Sequence, residues 1–206
     1  GLDGLRAVAV FLVIFYHLNL PFVPGGYGVM MFFVISGFLI TWLLLKEFAR
    51  TGGISLLGFY RRRTLRIFPA FYVFLACWIV VLLVANRPVP WAHATSAFFY
   101  FSNYYNAILG DPNNGFSHTW SLAIEEQFYL LWPSLFLLLI RRPASLPMAL
   151  ACLICAVWIY RFVLCYVLNV DQGYLYAAFD TRFDSLMAGC LLAVVLHQGR
   201  YSGLVA

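Results

Sequence analysis

Of the 206 residues, 64% are hydrophobic and 10% charged, with a mean hydropathy of +0.86. A soluble domain carries about 25% charged residues, so a water-soluble globule is excluded. Thirteen Lys and Arg against eight Asp and Glu leave a formal charge of +5. Nearly uncharged runs recur at 7–23, 27–45, 67–85, 98–109, 127–140, 146–160 and 183–196. A helix needs about 20 mostly apolar residues to cross the hydrocarbon, so most of these runs, with their flanks, qualify. The expected fold is all-α, a polytopic transmembrane bundle with six or seven spans.

The first run, "GLDGLRAVAVFLVIFYHLNLPF", carries Asp3, Arg6 and His17. It is too long, and too charged at its start, for a cleavable signal peptide, and is expected to stay in the mature protein. Arg6 and His17 are eleven positions apart, within about 20° of three full turns, and so share a helix face about 16 Å from one another. Ionisable groups inside a membrane normally face a bundle interior or a wet cavity. His17 suits a general base or an acyl-accepting nucleophile; a buried His bonded to a backbone carbonyl is the alternative. In the second run, Ser36 and Gly37 are small enough to let helices approach closely, and packing outweighs catalysis there.

Six of the thirteen basic residues lie between Lys46 and Arg66. The positive-inside rule makes this loop, and with it the N-terminus, cytoplasmic. In "FYRRRTLRIFPAFY", Arg62, Arg63 and Arg66 make one cationic face, and the planar Arg fork suits phosphate. The alternative is a patch resting on anionic lipid headgroups. Pro69 is expected to open the third span, where its missing N–H costs nothing.

The segment "WAHATSAFFYFSNYYNAI" (91–108) interleaves polar and aromatic residues. It reads as re-entrant or interfacial, because that parity returns Arg141, Arg142 and Arg200 to the cytoplasm; the alternative is a full crossing, which would leave Arg141 and Arg142 outside. In "HTWSLAIEEQFYLLWP" (118–133), two carboxylates at the mouth of an apolar helix are costly. Being adjacent, Glu125 and Glu126 point about 100° apart and do different jobs. The alternative makes both helix-start acids favoured by the macrodipole, with Trp120, Tyr129 and Trp132 as interfacial anchors. All five cysteines lie in apolar runs and read as small hydrophobes. Cys152-x-x-Cys155 has no His or acidic neighbour to complete a zinc site, so no metal is expected.

The Arg6–His17 pair, "FFVISGFLI", "RRRTLRIFPAFY" and "HTWSLAIEEQFYLLWP" occur in this order over residues 2–133. Together they resemble the membrane acyltransferase family three, sugar O-acetylating enzymes of bacterial inner membranes; "RFDSLMAGCLLA" (182–193) resembles a later segment. The resemblance implies transfer of an acyl group, usually acetyl, from cytoplasmic acetyl-CoA or another acyl-CoA to a carbohydrate or envelope-glycan hydroxyl across the inner membrane. It implies that His17, Arg6 and Glu126 are catalytic and that Arg62, Arg63 and Arg66 meet the coenzyme. Asp3, Ser36, His118, Trp120, Ser121, Glu125 and Tyr129 are the expected substrate contacts, with Trp120, Glu126 and Tyr129 lining one cavity and Glu125 turned toward headgroups or the helix start. Partners are then membrane lipid, acyl-CoA and a glycan acceptor, with no nucleic acid. Family members usually have about ten spans, so residues 1–206 are expected to form the N-terminal part of a single acyltransferase domain. A transporter or exporter of acylated glycans, without acyl transfer, is the alternative function; inverted repeats would favour it.

Overall fold

A computed structural model describes residues 2–18 and 25–200, and the backbone alone for Leu2, Asp3, His17, Gly25, Pro143 and Arg200. Helices α1 (Leu2–His17), α2 (Gly25–Thr51), α3 (Leu56–Val84), α4 (Trp91–Phe98), α5 (Ser102–Leu109), α6 (Thr119–Leu139), α7 (Leu146–Phe162), α8 (Gln172–Ala177) and α9 (Phe179–Val195) follow in order, with no strand among the described residues. Among the described residues, four stretches are long and apolar enough to cross a membrane: Gly26–Thr51, Leu56–Val84, Thr119–Leu139 and Leu146–Val167. Gly4–Tyr16 adds a shorter apolar helix. The protein is an all-α membrane bundle.

The chain divides into two units. The first holds residues up to 53, 137–159 and those from 183. In it, glycines set the helix spacing. A Cβ on Gly28 would meet the Ala9 carbonyl at 2.9 Å, so α1 lies close on α2. A Cβ on Gly37 would run into the Leu186 backbone of α9, and one on Gly189 into the Val34 backbone of α2. These reciprocal notches bring α2 and α9 together nearly backbone to backbone, as small residues do in membrane helices. The Cys190 thiol donates to the Gly37 carbonyl at 3.5 Å. Phe33, Phe38, Leu44, Leu186 and Val194 complete the buried core, and Trp158 Nε1 donates to Asp184 Oδ2 at 3.0 Å.

The second unit spans 54–136 and 160–182. The hydroxyl of Ser55 accepts from Gly58 N–H at 3.2 Å and starts α3 there, so Arg61, Arg62, Arg63 and Arg66 belong to the helix and Pro69 lies in its interior. Sequence reasoning placed Pro69 at the helix start; the Ser55 cap starts the helix earlier, and apolar helices tolerate an interior proline when neighbours satisfy the freed backbone. The pairs Trp78–Asn114, Phe74–His118 and Tyr60–Leu130 show α6 running antiparallel to α3.

Helices α4 and α5 form a short antiparallel hairpin. Eight residues rise about 12 Å, so neither helix crosses alone. The tip, Phe99–Tyr100–Phe101, lies beside the midpoint of α3, where Tyr100 stacks on Phe71 (centroids 4.7 Å) and Phe68 (5.3 Å). Higher in the hairpin, His93 is fully buried and stacked on Tyr105 at 4.3 Å and 9°. Near the chain's end, the phenols of Tyr104, Tyr160 and Tyr174 all donate to Asp180, at 3.3, 2.9 and 3.1 Å. Burial first, and then the Asp180 charge, push the Tyr104 phenol up to about 12.

Burial lowers the His93 pKa below its ordinary 6.5, outweighing the opposing pull of Asn114 and Asp111, and the His118 charge adds to the lowering. The unfolded chain therefore takes up the proton first. Stability is fully present above about pH 6.5 and is lost as pH falls from there toward the folded-state value. Thermal unfolding of the detergent-solubilised protein should show a lower midpoint at pH 5 than at pH 7.5, and His93→Phe should flatten that difference.

A candidate acyl-transfer site between two helices and a hairpin tip

The α3–α6 pair is flanked by two cavities. The first, about 240 Å³, is lined by Tyr60, Arg63, Thr64 and Phe68 of α3, by Phe99, Tyr100 and Phe101 of the hairpin tip, and by Glu126, Gln127, Tyr129 and Leu130 of α6. Its walls are mostly apolar, and its charge is concentrated in one pair. Arg63 Nε lies 3.9 Å from Glu126 Oε1, with the two side chains 19% and 12% exposed. The Arg63 guanidinium also sits over the Tyr129 ring, 3.6 Å from its centroid, a contact that gains strength away from water. Tyr129 is held in turn by its own helix, its hydroxyl donating to Glu125 Oε2 at 3.3 Å.

The hairpin tip is tied to the same two helices. Gln127 Nε2 donates to the Tyr100 carbonyl at 2.7 Å and to Asn103 Oδ1 at 2.9 Å. The Tyr72 hydroxyl donates to the Phe98 carbonyl at 3.2 Å. Tyr100 adopts φ +58°, a left-handed conformation that a bulky residue keeps only when its surroundings hold it.

The second cavity, about 520 Å³ and more open, is lined by Arg66, Ile67, Ala70, Phe71, Phe74, His118, Thr119, Ser121 and Leu122. Arg63 and Arg66 are three positions apart, or about 60° around the helix, and this turn is enough to send them to neighbouring cavities. Arg62 is exposed and lines neither.

The expected site residues are therefore distributed. Glu126 and Tyr129 share the first cavity with Arg63, while His118 and Ser121 share the second with Arg66. Trp120 stands in neither; it packs on Tyr176 at 4.9 Å, and Arg182 covers the same ring. Ser36 is buried in α2 of the first unit. Arg6 is half-buried on α1, the helix that also contains His17; the side chains of His17 and Asp3 lie outside the described residues. Glu125 and Glu126 fall in the body of α6, whose first turn has no acid. Sequence reasoning did not single out Tyr100, Asn103 or Gln127, although the polar–aromatic interleaving of 91–108 was the signal that pointed to this segment.

The site is thus an arginine–carboxylate pair sunk in a mostly apolar cavity of a membrane-type helix bundle. A family model described as an acyltransferase domain matches residues 1–200, and the chain belongs to that acyltransferase family. It is 39% identical over 211 residues to the O-acetyltransferase OatA of Staphylococcus aureus, covering 95% of this chain and 34% of that protein. It is 37% identical over 223 residues to the peptidoglycan O-acetyltransferase OatA of Listeria monocytogenes, covering 100% of this chain and 35% of that protein. The chain thus spans about a third of the length of these relatives. No solved structure matches it.

Breaking the pair from one side should destabilise the protein. Glu126→Leu alone should cost on the order of 3 kcal/mol, the low end for stranding a buried charge, since both side chains keep some solvent access. Adding Arg63→Met should recover most of that loss. A double-mutant cycle of thermal unfolding in detergent measures the coupling, and additive losses would mean that the pair contributes nothing as a pair.

Proposed function

We propose that this chain forms the N-terminal part of an acyltransferase domain that moves an acyl group, acetyl first among candidates, from cytoplasmic acyl-CoA to a hydroxyl of an envelope glycan. The observation that carries the reading is the first cavity: an apolar pocket in which Arg63, Glu126 and Tyr129 meet. An acyl thioester needs an apolar wall and a hydrogen-bond donor for its carbonyl, and the pocket has both. The name of the Listeria relative makes peptidoglycan the first acceptor to test.

The remaining roles follow from chemistry and position. The phosphates of coenzyme A cannot enter hydrocarbon, so they stay at the cytoplasmic end of α3, met by exposed Arg62 and Arg66. The acyl end enters the cavity beside Arg63. On α1, the Arg6–His17 signature supplies the group that takes the acceptor's proton or briefly carries the acyl group. Asp3, Ser36, His118, Trp120, Ser121, Glu125 and Tyr129 serve as acceptor contacts or hold the catalytic side chains. The short hairpin α4–α5 supports the orientation. With no crossing between α3 and α6, the basic residues from Lys46 to Arg66, Arg141–Arg142 and Arg200 fall on one side, as the positive-inside rule asks. The N-terminus is then cytoplasmic in a multi-pass protein of the bacterial inner membrane.

His17→Ala in the intact protein should abolish acyl transfer to peptidoglycan in membrane vesicles supplied with acetyl-CoA. Insertion should be unchanged, because the span becomes more apolar. Wild-type turnover would overturn the assignment of His17. Arg66→Ala should raise the KM for acetyl-CoA, and by less as salt rises, because an exposed charge is screened; a salt-independent rise would point to altered packing instead.

A further inference from the structure

Three polar atoms around the first cavity are buried without a hydrogen-bond partner among the described residues: Arg63 Nε, Glu126 Oε1 and the Tyr100 hydroxyl. A buried polar atom left unpaired costs about 1–3 kcal/mol, and proteins rarely leave one without cause. Here the three residues that carry them line one pocket. Two of them belong to the ion pair. The third, on Tyr100, is held there by several independent means: a left-handed backbone, two stacked phenyl rings, and a glutamine on its carbonyl. The residue is 8% exposed. Burial first, then the charge of Glu126, hold its phenol above the usual range, so it is a neutral O–H that donates.

A ligand group that completes this set must accept from an N–H and an O–H at one end and approach a carboxylate oxygen at the other. The carbonyl of an acyl donor, with the hydroxyl of an acceptor beside it, has that polarity. We infer that Tyr100 is a catalytic hydrogen-bond donor to the acyl carbonyl oxygen, acting beside Arg63 from the tip of the α4–α5 hairpin; this rests on the acyl-transfer reading above.

In the step itself the acceptor oxygen bonds to the carbonyl carbon, and the π pair moves onto the carbonyl oxygen. Tyr100 O–H and Arg63 Nε–H stabilise the charge that develops there. Collapse breaks the C–S bond, and the departing thiolate takes up the proton that the acceptor hydroxyl gave to the base. Tyr100 keeps its proton throughout. A donor fixed in advance at an oxyanion, in a water-poor site, is worth about 10²-fold or more in rate.

The test is Tyr100→Phe in the intact protein, reconstituted in vesicles with acetyl-CoA as donor and soluble peptidoglycan oligosaccharides as acceptor. We expect kcat to fall about 10²-fold, with the KM for acetyl-CoA within about twofold. The thermal midpoint should stay level or rise, since an unpaired buried hydroxyl is removed. A purely structural role would instead lower the midpoint and leave the kcat of the folded fraction unchanged, and that result would overturn the inference. Site-specific replacement of Tyr100 by a fluorinated tyrosine keeps shape and hydroxyl while strengthening the donor; kcat should hold or rise, and a large drop would count against the assignment. If the wild type transfers acetyl and Tyr100→Phe does so equally fast, this inference alone fails. If the wild type transfers nothing from acetyl-CoA, the acyl-transfer reading fails, and this inference with it.

Discussion

A backbone carbonyl or N–H that finds no partner in hydrocarbon costs several kcal/mol, and the hairpin between α3 and α6 exists under that constraint. Its turn interrupts helical bonding beside the midpoint of a helix long and apolar enough to span a membrane. The freed carbonyls are met by side chains of the two long helices, Phe98 by Tyr72 and Tyr100 by Gln127. The turn also bonds within itself, Phe101 N–H donating to Ser96 at 2.7 Å. Because the tip is satisfied from α3 and α6, it is fixed against both, and the cavity between them acquires a third wall made of aromatic rings.

The same scarcity of water governs the charges. Arg63 alone in this pocket would be an uncompensated cation, and Glu126 alone an uncompensated anion; each is tolerable because of the other and because Tyr129 lies under the guanidinium. The distance of 3.9 Å is that of an ion pair without a hydrogen bond between these atoms. The pair is thus neutral overall, yet Arg63 Nε and Glu126 Oε1 keep donor and acceptor capacity that no other described group takes up. An arrangement with both atoms bonded to each other would be more stable and would have nothing to offer a ligand.

Much of the architecture was legible in the sequence because hydrophobic length is a strong signal. The runs 27–45, 67–85, 127–140 and 146–160 match, to within one residue at their ends, parts of the four described helices of spanning length, and the interleaved segment 91–108 became two short helices rather than one long one. Helix ends were less legible: Pro69 suggested a start that the Ser55 cap pre-empted. The pairing of Arg63 with Glu126 was not legible at all. Periodicity tells which residues share a face of one helix, but nothing in it names the partner on another helix 63 positions away. Glu126 was therefore grouped with His17 and Arg6 as a catalytic residue, and Arg63 with Arg62 and Arg66 as a coenzyme contact. Tyr100 escaped notice because its significance lies in a backbone angle and an unpaired hydroxyl, neither of which leaves a mark on composition.

The notched contact between α2 and α9 also sets an order of assembly. Gly37 and Cys190 are 153 residues apart in sequence, with the whole of the second unit encoded between them. At about 5–20 residues per second, the ribosome needs on the order of ten to thirty seconds to deliver α9 after α2 has emerged. Helix α1, which meets α2 through Gly28, is made first and can dock at once. The α9 side of α2 has to wait in the lipid with its small residues uncovered, and the first unit closes only after all of the second has been synthesised.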